Sequence, residues 1–458
     1  MSLTETKDSK PLLGDVPTPV VYHPVSVQRR SAWRWLSKAI LVAVGLWIVT
    51  SFFGSMDFIH KSLAQFEYPI PSDVQPHRCI TAWPHEMKNP AFSSYPYSAF
   101  TSFDFSLPST TLLLLSKGGL SNGRLKITSS PEITDQVRVN VTVNYYKAAI
   151  RDLAKVCMIE REEGESGVGI FTPRPWRSRS YTDRLSFDVE LILPLAKSVR
   201  RINALSTDVD NFSHDVGSLI GFNFRDISLR ASNGKIQAEL LAAEKATLAS
   251  SNAAITVDSL DARIAGVRTS NGRVSGTYFV SDSLDLRTSN GPMNVAVAGH
   301  SNDTKKPVNL VMHTSNGALD CVVDLDTTSS KAGTFHVEAQ TSNAGLKAEI
   351  ASAPLNSVIT VEAKTSNHQA IVRLPSTYEG RFLVSTSNAP VAVEQANPDE
   401  QDPACESDRK CDGRRRTVQA SSVIKRRSIA GAVYWDERNA HRGQVILTTS
   451  NGPASLYV

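Results

Sequence analysis

Hydrophobic residues occupy every second position in short runs on either side of a recurring Thr-Ser-Asn triplet, which is usually followed by Gly. Leu284 and Leu286 precede one such asparagine, whereas Leu346, Ala348 and Ile350 follow another. Successive side chains of a strand point to opposite faces, so this alternation predicts half-buried strands. Its parity is even before the asparagine and odd after it, and Asn-Gly tolerates the left-handed backbone that can absorb the extra residue. Each copy is therefore predicted to be a strand, a tight corner and a second strand, with the asparagine facing inward.

The copies recur at a period that indicates a repeat architecture. Successive asparagines lie 19 to 27 residues apart, except for one gap of 63 before the last. This period is too short for a pair of helices, and no apolar stripe of helical spacing accompanies it. We predict an all-β, single-stranded β-solenoid (β-helix-like) with an N-terminal β section, preceded by one transmembrane helix. Stacked rungs would place the asparagines about 4.8 Å apart and let their amides form a ladder. The predicted ladder residues are Asn233, Asn252, Asn271, Asn290, Asn316, Asn343, Asn367, Asn388 and Asn451.

An ordinary antiparallel sandwich with Ser-Asn-Gly turns is the alternative. It requires neither an inward asparagine nor the threonine that stands two residues before it in seven copies. Those threonines are Thr269, Thr288, Thr314, Thr341, Thr365, Thr386 and Thr449.

The repeated triplet resembles the putative adhesin family of β-solenoid domains. The resemblance rests on the Thr-Ser-Asn-Gly rungs, a preceding strand that ends in Leu193-Pro194, and a degenerate first rung from Leu205 to Val209. It covers roughly residues 106 to 458, and the membrane-anchored layout is similar to uncharacterised fungal proteins with such a domain. The resemblance implies the solenoid fold and brings no catalytic residues.

The N-terminal part of the chain is predicted to anchor it in a membrane. Residues 1–35 are polar and predicted to be disordered, and residues 36–56 form an apolar segment close to the length that crosses a bilayer. A buried core helix and a cleavable signal peptide are the alternatives. Arg29, Arg30, Arg34 and Lys38 precede the segment and Lys61 follows it, so the short N-terminus is predicted to be cytosolic. The bulk of the chain would then be extracellular or luminal, as in a single-pass type II protein.

The remaining chain is divided by composition. We expect a Pro-rich stalk at 57–105, an N-terminal β cap at 106–200 and the solenoid repeats at 201–394. A charged, disordered insertion at 395–430 and the final solenoid strands at 431–458 complete the chain.

The charged insertion contains two features of its own. Cys405 and Cys411 can close a small disulfide loop in an oxidising compartment. The basic runs 414–416 and 425–427 indicate either a solvated loop or a proteolytic processing site.

Three sequons accompany the export prediction, at Asn140, Asn211 and Asn302. Each is predicted to carry an outward glycan and to lie outside the asparagine ladder.

Few residues suggest chemistry. The acids that a polysaccharide lyase or hydrolase could use on a β-helix scaffold are Asp258, Asp261, Asp282, Asp285, Asp320, Asp324 and Asp326. Phosphate-loop, nucleophile-elbow and zinc-protease motifs are absent from the sequence, and Cys405, Cys411 and His441 lack the spacing of a metal site. We therefore predict no cofactor, no metal and no nucleic-acid partner; the basic and aromatic residues 174–181 suit a surface loop.

The net charge of +4 is small for 458 residues and does not identify a partner. The function predicted from the sequence is a non-enzymatic binding or adhesion surface for cell-surface or wall glycans or proteins, in contact with the lipid bilayer through residues 36–56. A cell-wall polysaccharide lyase or hydrolase is the alternative, and a structural spacer without a ligand is a third.

Overall fold

The computed structural model describes residues 67–91, 93–107, 111–178, 180–195, 199–302, 306–328, 332–406, 414–423 and 427–458. Among these residues, helical structure is confined to short segments, and none of it is long and apolar enough to span a bilayer. The predicted tail at 1–35 and the predicted anchor at 36–56 lie outside the described residues.

The described chain is nearly all β-structure. Its N-terminal strands are β1 (Gln75–Cys79), β2 (His85–Lys88), β3 (Tyr97–Ser106), β4 (Thr111–Lys117), β5 (Gly123–Ser130), β6 (Gln136–Tyr145), β7 (Lys155–Glu160), β8 (Glu165–Phe171) and β9 (Leu185–Pro194). The strands that follow are β10 (Arg200–Val209), β11 (Phe212–Ser218), β12 (Phe222–Arg230), β13 (Ile236–Ala249), β14 (Ile255–Arg268), β15 (Val274–Arg287), β16 (Met293–Ser301), β17 (Val308–His313), β18 (Leu319–Thr327), β19 (Thr334–Gln340), β20 (Leu346–Ser352), β21 (Val358–Lys364), β22 (Ala370–Arg373), β23 (Gly380–Thr386) and β24 (Val391–Glu394). The C-terminal strands are β25 (Thr417–Val423), β26 (Ser428–Tyr434), β27 (Gly443–Thr449) and β28 (Ala454–Tyr457).

The helical segments are a four-residue α-helix, α1 (Ala148–Arg151), and two 3-10 turns at Pro403–Glu406 and Glu437–Asn439. They lie in connections between strands and do not interrupt the repeats.

Successive repeats stack in parallel as rungs, each with one strand before its asparagine and one after. The strands before the asparagines pair in the order β8-β4-β10-β12-β13-β14-β15-β17-β19-β21-β27-β23, which we call the upstream sheet. The strands after them pair in the order β9-β5-β11-β13-β14-β15-β16-β18-β20-β22-β28-β24, the downstream sheet. Every copy of the triplet therefore lies at the same corner, between the two sheets.

The difference between short and long repeats arises at the opposite corner. β13, β14 and β15 are 14 residues long, and each runs without a break from the downstream sheet into the upstream sheet. Later rungs use two separate strands joined by a loop, such as β16 and β17. This explains the change in spacing from 19 residues to 21–27 residues.

Both ends of the stack depart from sequence order. At the N-terminal end, β4 lies between β8 and β10, although β8 follows β4 in the chain. At the C-terminal end, β27 and β28 are inserted between the rung of β21 and β22 and the rung of β23 and β24. The 63-residue gap in the repeat is therefore the length of chain that leaves the stack and returns one rung earlier.

Antiparallel strands cover the N-terminal ends of both sheets and the C-terminal end of the upstream sheet. β9 pairs with β6, which pairs with β3 and then β2, while β8 pairs with β7 and then β1. At the other end, β26 pairs with the free side of β23 and forms a hairpin with β25. An uncovered edge would offer unpaired backbone groups to other chains, so these strands protect the three edges that they cover.

Two sequence boundaries differ from this structure. The range 57–105, predicted to be an irregular stalk, contains β1, β2 and most of β3. The range 395–430, predicted to be disordered, contains the turn Pro403–Glu406, β25 and the start of β26. Pro and charge density concealed the alternation, although Ala99, Phe103 and Phe105 are buried on alternate positions of β3 as in the other strands.

One continuous hydrophobic core runs along the inside of the stack. Val, Leu and Ile predominate on the inward positions, and aromatic rings concentrate near the N-terminal rungs, where Phe187 and Phe212 lie 6.3 Å apart. Each fully buried aliphatic side chain contributes about 1.5–3 kcal/mol relative to exposure. This burial stabilises the rungs whatever their corners contribute.

Candidate functional site

The repeated corner is arranged differently from the sequence prediction. In the copy around Asn271, Thr269 and Gly272 are buried, whereas Ser270 and Asn271 are both exposed. The extra residue is thus absorbed at Ser-Asn, one position earlier than predicted, and two consecutive side chains point outward. The prediction of an inward-facing asparagine is wrong, because the corner rotates the asparagine to the outer surface.

The exposed asparagines nevertheless form a hydrogen-bonded column. In each pair, Nδ2 of one asparagine donates to Oδ1 of the asparagine on the adjacent rung, at 2.6–2.8 Å. The column runs in the order Asn211, Asn233, Asn252, Asn271, Asn290, Asn316, Asn343, Asn367, Asn451 and Asn388. Solvent competes for these amides, so each bond contributes less than it would in a buried ladder.

The buried threonines bind the corner from inside. Oγ1 of Thr288 donates to the carbonyl oxygen of Gly272 on the preceding rung at 3.1 Å. Oγ1 of Thr288 also accepts a hydrogen bond from the backbone N–H of Gly291 at 3.1 Å. Thr269 and Thr314 repeat this pattern with their own neighbours. One hydroxyl therefore closes its own turn and joins it to the preceding rung, which explains the threonine two residues before the asparagine.

The glycine after the asparagine meets a steric requirement. None of the corner glycines has a positive φ; the positive values belong to Gly118, Gly164, Gly221, Gly276 and Asn356. The predicted left-handed Asn-Gly corner is therefore wrong. A Cβ added to Gly272 would lie 1.9 Å from the carbonyl oxygen of Ala253, and one added to Gly291 would lie 1.7 Å from that of Gly272.

Outward serines of the triplets line a groove along the upstream side of the corner. The groove has a volume of about 500 Å³ and contains, among others, Ser251, Ser270, Ser289, Ser315 and Ser342. We call it the serine groove. Its hydroxyls repeat at the rung spacing of about 4.8 Å, so they present the same donor and acceptor at regular intervals.

A column of basic and polar side chains borders the serine groove. Arg268, Arg287, His313 and Gln340 are in register on successive rungs and belong to its lining. Asp285 accepts from Arg268 at 2.7 Å and from Arg287 at 2.6 Å. Burial raises the pKa of Asp285, but these two hydrogen bonds outweigh it and lower the pKa below its ordinary value. The groove thus offers guanidinium groups whose charge is partly balanced by one carboxylate.

A second groove, of about 830 Å³, lies at the opposite corner. Its lining includes Asp261, Phe279, His300, Asp324 and Asp326, and we call it the Phe279 groove. Oδ1 of Asp324 accepts from Oγ of Ser352 at 2.8 Å, and Oδ2 of Asp326 lies 3.8 Å from Nδ1 of His300. Three of the acids singled out in the sequence therefore share this groove.

The other candidate acids lie apart from it. Asp282 forms ion pairs with Arg263 and Lys306, and Asp320 lies 3.8 Å from Nζ of Lys347. Asp285 is bound to Arg268 and Arg287 of the basic column, and Asp258 is exposed on β14. Within the described residues, no group of three or more His, Cys, Asp or Glu is arranged to hold a metal ion.

The three sequon asparagines occupy different environments. Asn140 is partly exposed on β6, where its Oδ1 accepts from Oγ of Ser102 at 2.9 Å. Asn302 is exposed, and its Oδ1 accepts from Thr328 at 3.2 Å. Asn211 belongs to the asparagine column, so the expectation that all three sequons avoid the ladder is wrong. Sequence reasoning missed Asn211 because Asp-Asn-Phe replaces Ser-Asn-Gly there.

Another missed copy of the motif is Ser121-Asn122-Gly123, between β4 and β5. Nδ2 of Asn122 donates to the carbonyl oxygen of Leu185 at 2.7 Å, and the carbonyl oxygen of Ser121 accepts from Nδ2 of Asn211 at 3.1 Å. The corner thus continues into the N-terminal cap, with backbone acceptors in place of side-chain amides.

A disulfide that the sequence analysis did not predict joins Cys79 to Cys157 on the paired strands β1 and β7. Cys321 is free and buried, as its inward position in the repeat predicts, and burial raises the pKa of its thiol to about 12. Cys405 is disulfide-bonded, while Cys411 lies outside the described residues. The Cys405–Cys411 pairing therefore stays a prediction.

The structure disfavours one of the two processing sites. The side chain of Arg416 is 2% exposed, and its Nη2 donates to the carbonyl oxygens of Pro375 and Tyr378. A protease cannot reach a side chain that is held in this way without local unfolding. The other basic run, 425–427, lies largely outside the described residues.

The chain was compared with known families, curated proteins and solved structures. A family model described as a domain of unknown function (DUF7330) matches residues 263–410. No curated protein matches the chain.

Two solved structures resemble it at 10% identity. A putative cell adhesion protein from Clostridium sporogenes has a TM-score of 0.17, with 78% of this chain and 99% of that chain covered. A putative adhesin from Bacteroides fragilis has a TM-score of 0.28, with 50% of this chain and 93% of that chain covered. At this level of similarity neither match assigns a fold or a function to this chain.

Proposed function

We propose that this chain is an exported, membrane-anchored β-solenoid protein that binds cell-surface or wall polymers along its stacked corners without catalysing a reaction. The observation that carries this proposal is the serine groove, which repeats one set of hydroxyl groups over successive rungs. A ligand with a repeating structure can contact several rungs at once. Many weak contacts then add up to avidity.

The chemistry of the serine groove suits a hydroxylated or partly anionic polymer. Serine hydroxyls donate and accept hydrogen bonds, and Arg268 and Arg287 each retain N–H groups besides those bonded to Asp285. Arg268 has 66% of its side chain exposed and Arg287 has 49%, so both can reach a ligand.

Export is supported by the disulfide between Cys79 and Cys157, because such bonds persist mainly in oxidising compartments. The three sequons and the basic residues before the apolar segment 36–56 agree with it. We therefore propose a cytosolic N-terminus, a bilayer contact through residues 36–56, and a luminal or extracellular position for the stacked rungs.

The binding role is tested by filling the serine groove. Full-length protein carrying Ser270→Trp and Ser315→Trp would be incubated with isolated wall polysaccharide and compared with the unchanged protein. Gln237→Trp, at an exposed position of β13 outside the groove, is the matched control. We expect the double variant to bind at least roughly tenfold more weakly and the control to bind normally. Equal binding by all three proteins, or no binding by the unchanged protein, would contradict the proposal.

Topology requires a separate experiment. Sealed membranes carrying the full-length protein would be treated with protease, and the protein would then be treated with glycosidase. The proposal predicts that most of the chain is protected and that deglycosylation lowers its mass. The vesicles must have their cytosolic face outward, so that protease reaches the cytosolic side alone. Cleavage of the bulk of the chain in such sealed vesicles would contradict the proposal.

A polysaccharide-active enzyme is the second candidate, and one observation favours it. Asp324 and Asp326 are exposed two residues apart on β18, which places their Cα atoms about 7 Å apart. Glycosidase carboxyl pairs are separated by about 5–9.5 Å. Asp261 lies three strands away from Asp324 in the register, about 14 Å, and is too distant to join that pair. Release of reducing ends that Asp324→Asn or Asp326→Asn abolishes would establish this activity.

A further inference from the structure

The Phe279 groove crosses the strands and does not run along one of them. Asp261, Phe279, Ala298, Asp324 and Ser352 are aligned by the strand register on β14, β15, β16, β18 and β20. Four strand spacings amount to about 19 Å. An occupant that uses the whole groove is therefore elongated and lies parallel to the axis of the stack.

The pairing of β14 with β15 is irregular on both sides of Phe279. The register between β14 and β15 shifts between Val257 and Leu260 and again between Ala262 and Ile264, on either side of the Asp261–Phe279 pair. Gly276 precedes it with φ +138°, and a Cβ there would lie 1.8 Å from the carbonyl oxygen of Val257. Phe279 occupies an outward position in the unbroken alternation of β15 and is 44% exposed, whereas its neighbours Tyr278 and Val280 point inward and are buried.

The charge of the groove has one sign. Asp261, Asp324 and Asp326 contribute carboxylates, and no Lys or Arg belongs to its described lining. Arg263 and Lys306 are bound to Asp282, at 2.7 and 2.6 Å, and Asp282 is not part of that lining. His300 also belongs to the lining, and its Nδ1 lies 3.8 Å from Oδ2 of Asp326. The groove thus combines an apolar floor with an acidic rim.

The carboxylates and the ring of Phe279 both attract ammonium groups. A carboxylate pairs with an ammonium ion, and the face of an aromatic ring attracts an ammonium ion through its quadrupole. The strands that form the groove are paired on both sides, so a peptide backbone would find no free edge to extend. Sugar rings need no such edge and can lie flat on Phe279.

We propose that the Phe279 groove binds a linear polysaccharide of amino sugars whose amines are free and protonated. Its ammonium groups contact the three carboxylates, and one sugar ring covers Phe279. This inference rests on the proposed binding function and names a ligand class for a groove other than the serine groove.

The probe for this inference is an oligomer of β-1,4-linked glucosamine, compared with its fully N-acetylated counterpart and with oligolysine. Calorimetry on full-length protein in detergent would give each Kd at low and high salt. We expect the glucosamine oligomer to bind at least roughly tenfold more tightly than the other two probes. Its affinity should fall as salt increases, because salt screens exposed charges.

Variants connect the binding to the groove. Phe279→Ala and the triple variant Asp261→Asn, Asp324→Asn, Asp326→Asn should each weaken glucosamine binding by at least roughly tenfold. Asp258 is an exposed carboxylate on β14, the strand of Asp261, but it lies outside the groove. Asp258→Asn should therefore leave binding unchanged. Equal melting temperatures would show that the variants remain folded, and Leu383→Ala is the control for an exposed apolar side chain.

Four results would overturn the inference. Equal affinity for the N-acetylated oligomer would show that the amines do not matter, and tighter binding of oligolysine would identify a basic peptide as the ligand. If Phe279→Ala and the triple variant bind the glucosamine oligomer as tightly as the unchanged protein, the oligomer binds outside the Phe279 groove. Binding of wall polysaccharide that Ser270→Trp with Ser315→Trp abolishes, without any glucosamine binding, would remove this inference and leave the proposed function standing.

Discussion

At the residue scale, the corner is secured by two columns with different environments. The threonine hydroxyls are buried and each bridges two rungs, whereas the asparagine amides bridge the same rungs in contact with solvent. An unsatisfied buried group costs about 1–3 kcal/mol, while an exposed hydrogen bond contributes at the low end of about 0.5–1.5 kcal/mol. The threonine should therefore contribute more to stability than the asparagine.

This difference can be measured with Thr288→Val and Asn271→Ala. Valine keeps the shape of threonine but leaves the carbonyl of Gly272 and the N–H of Gly291 without this partner. We expect the valine variant to lose about 1–3 kcal/mol of local unfolding free energy and the alanine variant about 0.5–1 kcal/mol, measured by amide hydrogen exchange. Ser270→Ala, which removes an exposed hydroxyl of the same corner, is the control. If Asn271→Ala loses more unfolding free energy than Thr288→Val, the exposed asparagine column stabilises the corner more than the buried threonines do.

A buried histidine makes stability depend on pH. His214 is fully buried, and its Nε2 lies 2.8 Å from Oγ1 of Thr207. Burial lowers its pKa from 6.5 to about 4, although a backbone hydrogen bond with Phe212 acts in the opposite direction. Between these two pH values, His214 binds a proton in the unfolded chain but not in the folded chain. The free energy of unfolding therefore falls as the pH decreases from 6.5 to about 4.

The expected loss is about 3 kcal/mol over that interval, from about 1.4 kcal/mol per pKa unit. Denaturant unfolding at several pH values would measure it. His214→Gln keeps a polar side chain without the titration, so its stability should change less over the same interval. An unchanged pH dependence in that variant would assign the effect to other groups.

At the element scale, alternation identified strands wherever it was clean. Within the predicted β cap at 106–200, apolar residues alternate cleanly at Val137–Tyr145 and Leu185–Leu191, and the structure has β6 and β9 there. It did not predict that Ser and Asn would both face outward, because strict alternation cannot reveal where a corner absorbs its extra residue. The Cys79–Cys157 pair was equally hidden, since the antiparallel pairing of β1 with β7 joins residues 78 positions apart.

That disulfide should stabilise the cap and leave the middle of the stack unaffected. Replacing Cys79 and Cys157 with serine removes a cross-link of the kind that typically contributes about 2–4 kcal/mol. Each rung contacts its neighbours alone, so the loss should be confined to the N-terminal strands. Hydrogen exchange should become faster in β1, β7 and β8 and stay unchanged in β14 and β15. Faster exchange along the entire stack would contradict this local role.

At the scale of the whole molecule, the order of the rungs differs from the order of the sequence. β21, which contains Val361, and β27, which contains Val445, have the same inward alternation. The side-chain pattern alone would therefore allow either strand to pair with β23. The gap of 63 residues indicated an irregularity without giving its direction. In the structure the hairpin of β25 and β26 covers the outer side of β23, and β27 pairs with its inner side.

The stacked arrangement also determines where binding can occur. Tight corners generate the serine groove on one side, and the change from continuous to separate strands after β15 accompanies the Phe279 groove on the other. The sequence identified the triplets and three acids of the second groove, and the alternation of β15 places Phe279 on an outward position. That Phe279 lies among those acids depends on the pairing register of β14, β15, β16 and β18, which no local residue pattern specifies.

The returning C-terminal rung is the feature on which the continuous corner depends, and pairs of cysteines test it directly. The register places Ser455 between Ile371 and Ala392, one strand from each. Neighbouring strands lie about 4.8 Å apart, within the range of a disulfide, and alternate strands about 10 Å apart, beyond it. Oxidation should therefore link Ile371→Cys to Ser455→Cys, and Ala392→Cys to Ser455→Cys, but not Ile371→Cys to Ala392→Cys. Efficient linkage of the 371–392 pair, without linkage to 455, would show that the rungs follow sequence order and would contradict the architecture described above.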